Sequence, residues 1–208
     1  MRLILTALLF CHSKGRDKRP LFFWGIGAWR ISFYNAIKVI CLFIICMTTF
    51  IAYANIQQPF LFDEIPTELV SENLRIEPKG NSRITQRHQC RRLAHFLLWQ
   101  LLKTAEKSTA LLGRIYRTQS GRPQFPVENI DFNISHSGDW VAVLLHINES
   151  EKSAVGIDIE FPKKRNFSAL MAHFAPQAEQ EWFAKQLNEE QAFYRCWCLR
   201  EAEIGRAS

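Results

Sequence analysis

Residues 141–147, Val-Ala-Val-Leu-Leu-His-Ile, form an almost unbroken apolar run and read as a well-buried strand. The polar, turn-like stretch 148–153 follows. Residues 155–160 then alternate, with Ile157 and Ile159 expected on the core side and Asp158 and Glu160 opposite. This second strand is expected to be the antiparallel partner of the first. Upstream, Cys90, Leu93, Ala94, Leu97, Leu98 and Leu101 recur at helical spacing, so 85–103 reads as a long helix. Arg83, Arg87 and Arg91 lie at i, i+4 and i+8 on it, a basic stripe that a solvated helix face explains for most of its members. Residues 47–54 read as an opening strand and 112–117 as another, with a turn at 118–123. Pro59, Pro66 and Pro78 mark loops between them. Three helices are expected at 170–174, 177–187 and 189–202, the last capped by Asn188 with acids in its first turn. Along it Phe193, Trp197 and Glu201 share one face.

Charge changes the picture at the N-terminus. The chain carries a formal excess of +6. Residues 1–46 hold Arg2, Lys14, Arg16, Lys18, Arg19, Arg30 and Lys38 against the single acid Asp17, so the whole excess lies there. The remainder is balanced, which removes the bulk-charge case for nucleic-acid binding. Residues 36–54 are apolar and near the length of a membrane span. They also contain the opening strand, so the favoured reading is an upstream leader, 1–46, outside the native domain, with Met47 as the initiator; a membrane anchor is the minority alternative. Of six cysteines, Cys11, Cys41 and Cys46 lie in that leader. Cys90, Cys196 and Cys198 show no zinc spacing, and Cys196 and Cys198 diverge on a helix. A reduced, cytoplasmic compartment fits. The triplet Lys163-Lys164-Arg165 reads equally as a solvated loop or as a contact for an acidic partner.

Asp158 and Glu160 on one strand face repel unless something positive lies between them. Mg²⁺ does this well, taking one or two protein carboxylates along with phosphates and water. A solvated strand face is the plainer reading of Asp-x-Glu alone. Three further elements change the balance: Gly121-Arg122-Pro123, Phe132-Asn133-Ile134-Ser135-His136-Ser137, and Trp197-Cys198-Leu199-Arg200-Glu201-Ala202. Together with Gly156-Ile157-Asp158-Ile159-Glu160, in this order and spacing, they resemble the motifs of the 4′-phosphopantetheinyl transferase superfamily, of the longer, monomeric Sfp-like type. The resemblance spans residues 47 to 202.

That resemblance implies transfer of the phosphopantetheine arm of coenzyme A to a serine of an apo acyl or peptidyl carrier protein, with release of adenosine 3′,5′-bisphosphate. It implies Mg²⁺ held by Asp158, Glu160 and Glu201. Glu201 is also the expected base toward the carrier serine, directly or through water. Ser135, His136, Arg122 and Arg91 are implied as contacts for the coenzyme A phosphates, with Arg87 weaker, and Arg122 and Arg200 keep the charge of the family's lysines. The implied fold is α+β, two similar α/β lobes with pseudo-two-fold symmetry and the site between them, here 47–107 and 108–208. The motif's closing lysine falls on Gly205, and 203–208 do not read as a further helical turn. The expectation is therefore a second lobe cut short by truncation or frame shift, leaving the strand of Asp158 and Glu160 without partners and cover. An inactive remnant of such an enzyme is the alternative.

Overall fold

The computed structural model describes the backbone of residues 4–11, 21–22, 30–34, 37–44, 47–150 and 152–207, with side chains for 48–150, 152 and 154–205. The leader's charges and Cys11, Cys41 and Cys46 lie outside the described side chains, and Ser208 lies outside the described residues. The strands are β1 (Ile4–Cys11), β2 (Leu21–Phe22), β3 (Arg30–Tyr34), β4 (Ile37–Ile44), β5 (Met47–Asn55), β6 (Tyr116–Arg117), β7 (Pro123–Gln124), β8 (Ile130–Ser137), β9 (Trp140–Asn148) and β10 (Ser153–Glu160). The helices are α1 (Glu72–Arg75), α2 (Ser82–Thr104), α3 (Phe167–Phe174), α4 (Gln177–Phe183) and α5 (Glu189–Ala207).

One sheet runs β3-β4-β5-β9-β8 and a second β10-β1-β2, a mixed helix-and-sheet architecture consistent with an α+β fold. β5 pairs with β9 from Met47↔Asn148 to Asn55↔Trp140, so strands from either side of 107/108 share one sheet. The long helix begins at Asn81, whose side chain accepts the Ile84 N–H at 3.1 Å. All six of its periodic positions are buried. Their face packs on Phe50, Ala52 and Ala54 of β5, on Val141, Val143, Leu145 and Ile147 of β9, and on Ile130 and Phe132 of β8. Arg83, Arg87 and Arg91 are exposed. Among the described residues no helix is long and apolar enough to cross a membrane, and the apolar run 36–54 falls on β4 and β5, which pair antiparallel.

β10 is not the partner of β9. Both edges of β9 are taken, by β5 and β8. β10 pairs instead with β1, from Ile4↔Glu160 to Cys11↔Ser153, so the strand expected to lack a partner has one. Its other edge lies across the sheet face opposite α2, where Val155, Ile157 and Ile159 pack on Ala142 and Leu144. The N–H groups on that edge find side chains rather than a strand. Val155 N–H donates to Asp131 Oδ2 at 2.8 Å and Ile157 N–H to Asn133 Oδ1 at 3.0 Å. Ile159 N–H donates to Ser135 Oγ at 3.3 Å and Phe161 N–H to Ser137 Oγ at 3.2 Å. The constant offset of 24 residues means that β10 runs alongside β8 in the same direction. Short polar side chains on alternate residues of β8 thus replace the acceptor row a neighbouring strand would supply.

Two further expectations are corrected. Residues 109–114 form a 3₁₀ helix, so of the strand expected over 112–117 only Tyr116 and Arg117, in β6, form one. Leu111 and Leu112 are both buried, and adjacent inward side chains suit a helical turn, not a two-residue alternation. The last helix continues through Gly205 to Ala207. A helix-interior glycine costs about 1 kcal/mol, but here it permits a close approach. A Cβ at 205 would sit 3.3 Å from Asn133 Oδ1. The Gly205 carbonyl accepts from Arg122 Nε and Asn133 Nδ2, each at 3.1 Å, which satisfies a C-terminal carbonyl the helix leaves free.

Arg122 is buried. Its Nη2 donates to Asp131 Oδ2 at 2.8 Å and to the carbonyls of Phe132 and Val155 at 3.3 and 3.1 Å. Asp131→Ala strips Arg122 of its carboxylate partner and the Val155 N–H of its acceptor. It is expected to cost roughly 3–5 kcal/mol in urea denaturation, with part recovered by adding Arg122→Met.

His146 is fully buried beside Asp131 in the opposing register, with its Nδ1 2.8 Å from Thr49 Oγ1. Burial lowers its pKa to about 4, with Asp131 opposing the shift. The folded value lies below the unfolded one, near 6.5. Stability from this residue is therefore complete above pH 6.5 and falls as pH drops from there to about 4, by at most about 3 kcal/mol. Denaturation midpoints across that window should decline in the wild-type chain and flatten in His146→Gln.

Candidate active site

The acids expected to bind metal sit where β10 meets α5. On β10, Asp158 is buried while Glu160 is half-buried, and Ile157 and Ile159 point into the core. The serines on β8 that accept β10 N–H groups also spend their protons on these carboxylates. Ser135 Oγ donates to Asp158 Oδ1 and Ser137 Oγ to Glu160 Oε2, both at 2.7 Å. Each hydroxyl is thus used twice, once as acceptor and once as donor.

α5 arrives from the other side. It begins at Asn188, whose side chain accepts the Gln191 N–H at 3.0 Å. Its inner face packs into an aromatic cluster with Phe167, Met171 and Phe183 through Phe193 and Tyr194. Tyr194 Oη also accepts the Lys163 N–H at 2.8 Å, tying the segment after β10 to the helix. Trp197, Cys198 and Glu201 then meet the β10 acids. Trp197 Nε1 donates to Glu160 Oε1 at 3.0 Å, and the Cys198 thiol hydrogen-bonds Asp158.

The acids feel one another. Burial raises the pKa of Asp158 most; hydrogen bonds from Ser135 and Cys198 lower it, and Glu160 adds to the rise. Burial raises that of Glu201 too, followed by repulsion from Asp158 and Glu160. Asp158 Oδ2 is buried and makes no hydrogen bond. A carboxylate oxygen left bare inside a cluster of like charges calls for a cation. Among the described residues no three His, Cys, Asp or Glu side chains stand as a ready-made metal cluster. The donors nevertheless fit Mg²⁺ in kind: hard carboxylate oxygens, one of them unpartnered, for an ion that usually keeps water and takes only one or two protein carboxylates.

The residues expected at the coenzyme A phosphates divide. Ser135 is committed to Asp158 and to the Ile159 N–H. Arg122 is enclosed by β8, β10 and the end of α5, with only 4 % of its surface exposed and its guanidinium engaged by protein acceptors. His136 and Arg91 are both exposed. His136 lies on the opposite pleat face from Ser135 and Ser137, the face α2 covers. Cys90 Sγ lies 3.7 Å from the Gly138 carbonyl, and Gln86 Nε2 donates to Asp139 Oδ1 at 2.6 Å. These contacts dock α2 on the tight β8–β9 turn, in which Gly138 takes φ +58°. Arg91 and His136 therefore lie at the same end of the sheet as Ser137 and Glu160. Arg200 pairs with Glu179 at 2.7 Å and joins α5 to α4.

Asp131, Asn133, Ser137, Trp197 and Cys198 were not among the expected site residues. The strict alternation of polar 131, 133, 135 and 137 with apolar 130, 132 and 134 is the signal that marked the first three.

The sequence profile of the 4′-phosphopantetheinyl transferase superfamily matches residues 154–204, the segment that carries Asp158, Glu160, Trp197, Cys198 and Glu201. A putative 4′-phosphopantetheinyl transferase of Haemophilus influenzae is 67% identical over 158 residues, 76% of this chain and 67% of the relative. The 4′-phosphopantetheinyl transferase Sfp of Bacillus subtilis is 31% identical over 93 residues, 44% of this chain and 39% of the relative. AcpT of Salmonella typhimurium is 34% identical over 90 residues, 41% of this chain and 45% of the relative. The chain thus spans two thirds of the first protein's length and less than half of the other two. A β10 carboxylate pair faced by a helical glutamate within the profile-matched segment, together with a relative 67% identical over two thirds of its own length, places the chain in the 4′-phosphopantetheinyl transferase superfamily, a family of transferase enzymes.

Proposed function

We propose that this protein transfers the 4′-phosphopantetheine group of coenzyme A to a serine hydroxyl of an apo acyl or peptidyl carrier protein, in the cytoplasm and as a monomer. The observation that carries the reading is the bare, buried Asp158 Oδ2 beside Glu160 and Glu201, whose pKa both acids help to raise. The serine oxygen attacks the phosphorus bearing the pantetheine arm, the P–O bond to the nucleotide breaks, and adenosine 3′,5′-bisphosphate leaves. Mg²⁺, held by Asp158, Glu160 and Glu201, supplies charge neutralisation for the pyrophosphate when bound. Glu201 is the acid of the three that stands on the helix, half-buried, and its raised pKa suits it to take the serine proton, directly or through water. Arg91 and His136 are exposed at the same end of the sheet and suit the anionic end of the substrate. Ser135 serves the reaction by holding Asp158.

Incubating the chain with coenzyme A, Mg²⁺ and an apo carrier protein should add one phosphopantetheine mass to a carrier serine. Asp158→Ala and Glu201→Ala should each lower the rate by about 10²-fold or more. An unmodified carrier would favour the inactive-remnant reading, and near-normal turnover in either variant would remove the assigned roles.

Mg²⁺ should also raise the thermal midpoint by relieving the repulsion among the acids. The gain is about 1.4 kcal/mol at ten times the dissociation constant. Chelation should reverse it, and Asp158→Asn should blunt it.

A further inference from the structure

Glu160 is held differently from its neighbour. Asp158 is hydrogen-bonded through Oδ1 from Ser135, while its Oδ2 stays open. Glu160 is gripped at both oxygens, Oε2 by Ser137 and Oε1 by the Trp197 indole N–H. The two grips come from different elements, β8 and α5. Ser137 Oγ already accepts the Phe161 N–H, and a carboxylate can only accept, so the serine's single proton is directed at Glu160. The indole is fixed in turn. It stacks on Phe193 at 6.0 Å with planes 14° apart and meets Phe174 edge-on at 5.4 Å.

We infer that Trp197 and Ser137 are positioning residues that lock the Glu160 carboxylate in a single orientation toward a divalent cation. The inference rests on the metal site of the proposed function and assigns a role within it. Each Glu160 oxygen keeps a lone pair after its hydrogen bond, so both remain able to meet an ion. A glutamate side chain loses considerable rotamer freedom when it binds a metal. Here two donors have removed that freedom beforehand, so little more is lost on binding. Outer-shell partners of this kind typically govern metal affinity by ten- to a hundredfold. The rest of the Trp197 ring contributes packing, a separate job from its N–H.

The test is Mn²⁺ binding by the purified full chain, read as loss of the free-ion electron paramagnetic resonance signal. The variants are Trp197→Phe, which keeps a ring and removes the donor, and Ser137→Ala, which removes the other grip. Thermal unfolding in chelator shows separately whether each variant is folded. Both are expected to stay folded and to bind Mn²⁺ about tenfold more weakly or worse, with occupancy restored at higher Mn²⁺. If Trp197→Phe disturbs the aromatic cluster and unfolds, Ser137→Ala decides alone. Wild-type Mn²⁺ affinity in a folded variant overturns the assigned role and leaves the metal site standing. A wild-type chain that takes up no Mn²⁺ overturns both.

Discussion

Four side chains on β8 do the work of a missing strand. Asp131, Asn133, Ser135 and Ser137 accept the N–H groups of Val155, Ile157, Ile159 and Phe161 in sequence. Without them one edge of β10 would be buried against a sheet face with its donors unpaired, at a cost of about 1–3 kcal/mol for each group. With them, β10 can leave the sheet of its neighbours and lie across it. That displacement turns Asp158 and Glu160 toward α5 and away from the interior of a continuous sheet.

The row changes character along its length. At one end Asp131 is closed by the buried Arg122, which also reaches the Gly205 carbonyl and so anchors the far end of α5. At the other end the acceptors are serines, whose hydroxyl protons are free to meet carboxylates. The same pleat therefore begins as an ion-paired structural clamp and ends as the support of an acidic cluster. Arg122 illustrates the economy of this arrangement. One guanidinium touches β8, β10 and α5, the three elements whose relative placement decides where the acids meet.

Periodicity made much of this legible in advance. The spacing of Cys90 to Leu101 yielded the long helix, the run 141–147 the central strand, and Asn188 the start of α5, because each is a local signal that burial or capping reads directly. The alternation of 155–160 correctly divided its isoleucines from its acids. What escaped was tertiary. Two strands separated by a short polar turn suggest a hairpin, and nothing in their own residues reveals that β9 has both edges filled. The polar residues of β8 were visible, and Ser135 and His136 were singled out as ligand contacts, but their row as acceptors for β10 went unread, because an acceptor row made of side chains leaves no propensity signature. The ion pair of Arg122 went unread for a similar reason: a cation beside a turn does not announce a buried acid nine positions away. Gly205 was read as a helix breaker, since the close approach that suits it comes from Asn133, seventy-two residues distant.

Pairing between ordinary strands can creep, because every residue offers the same two backbone groups. The fastening of β10 to β8 offers contacts only at every second residue, and the four holders are of three chemical kinds, carboxylate, amide and hydroxyl. A displacement by two would carry the Phe161 donor beyond the last hydroxyl and set Ser137 opposite Ile159. A displacement by one would turn the isoleucines outward. A slip by one thus forfeits all four bonds together and a slip by two gives up the terminal one, which keeps the two acids aligned with a helix contributed by a distant part of the chain.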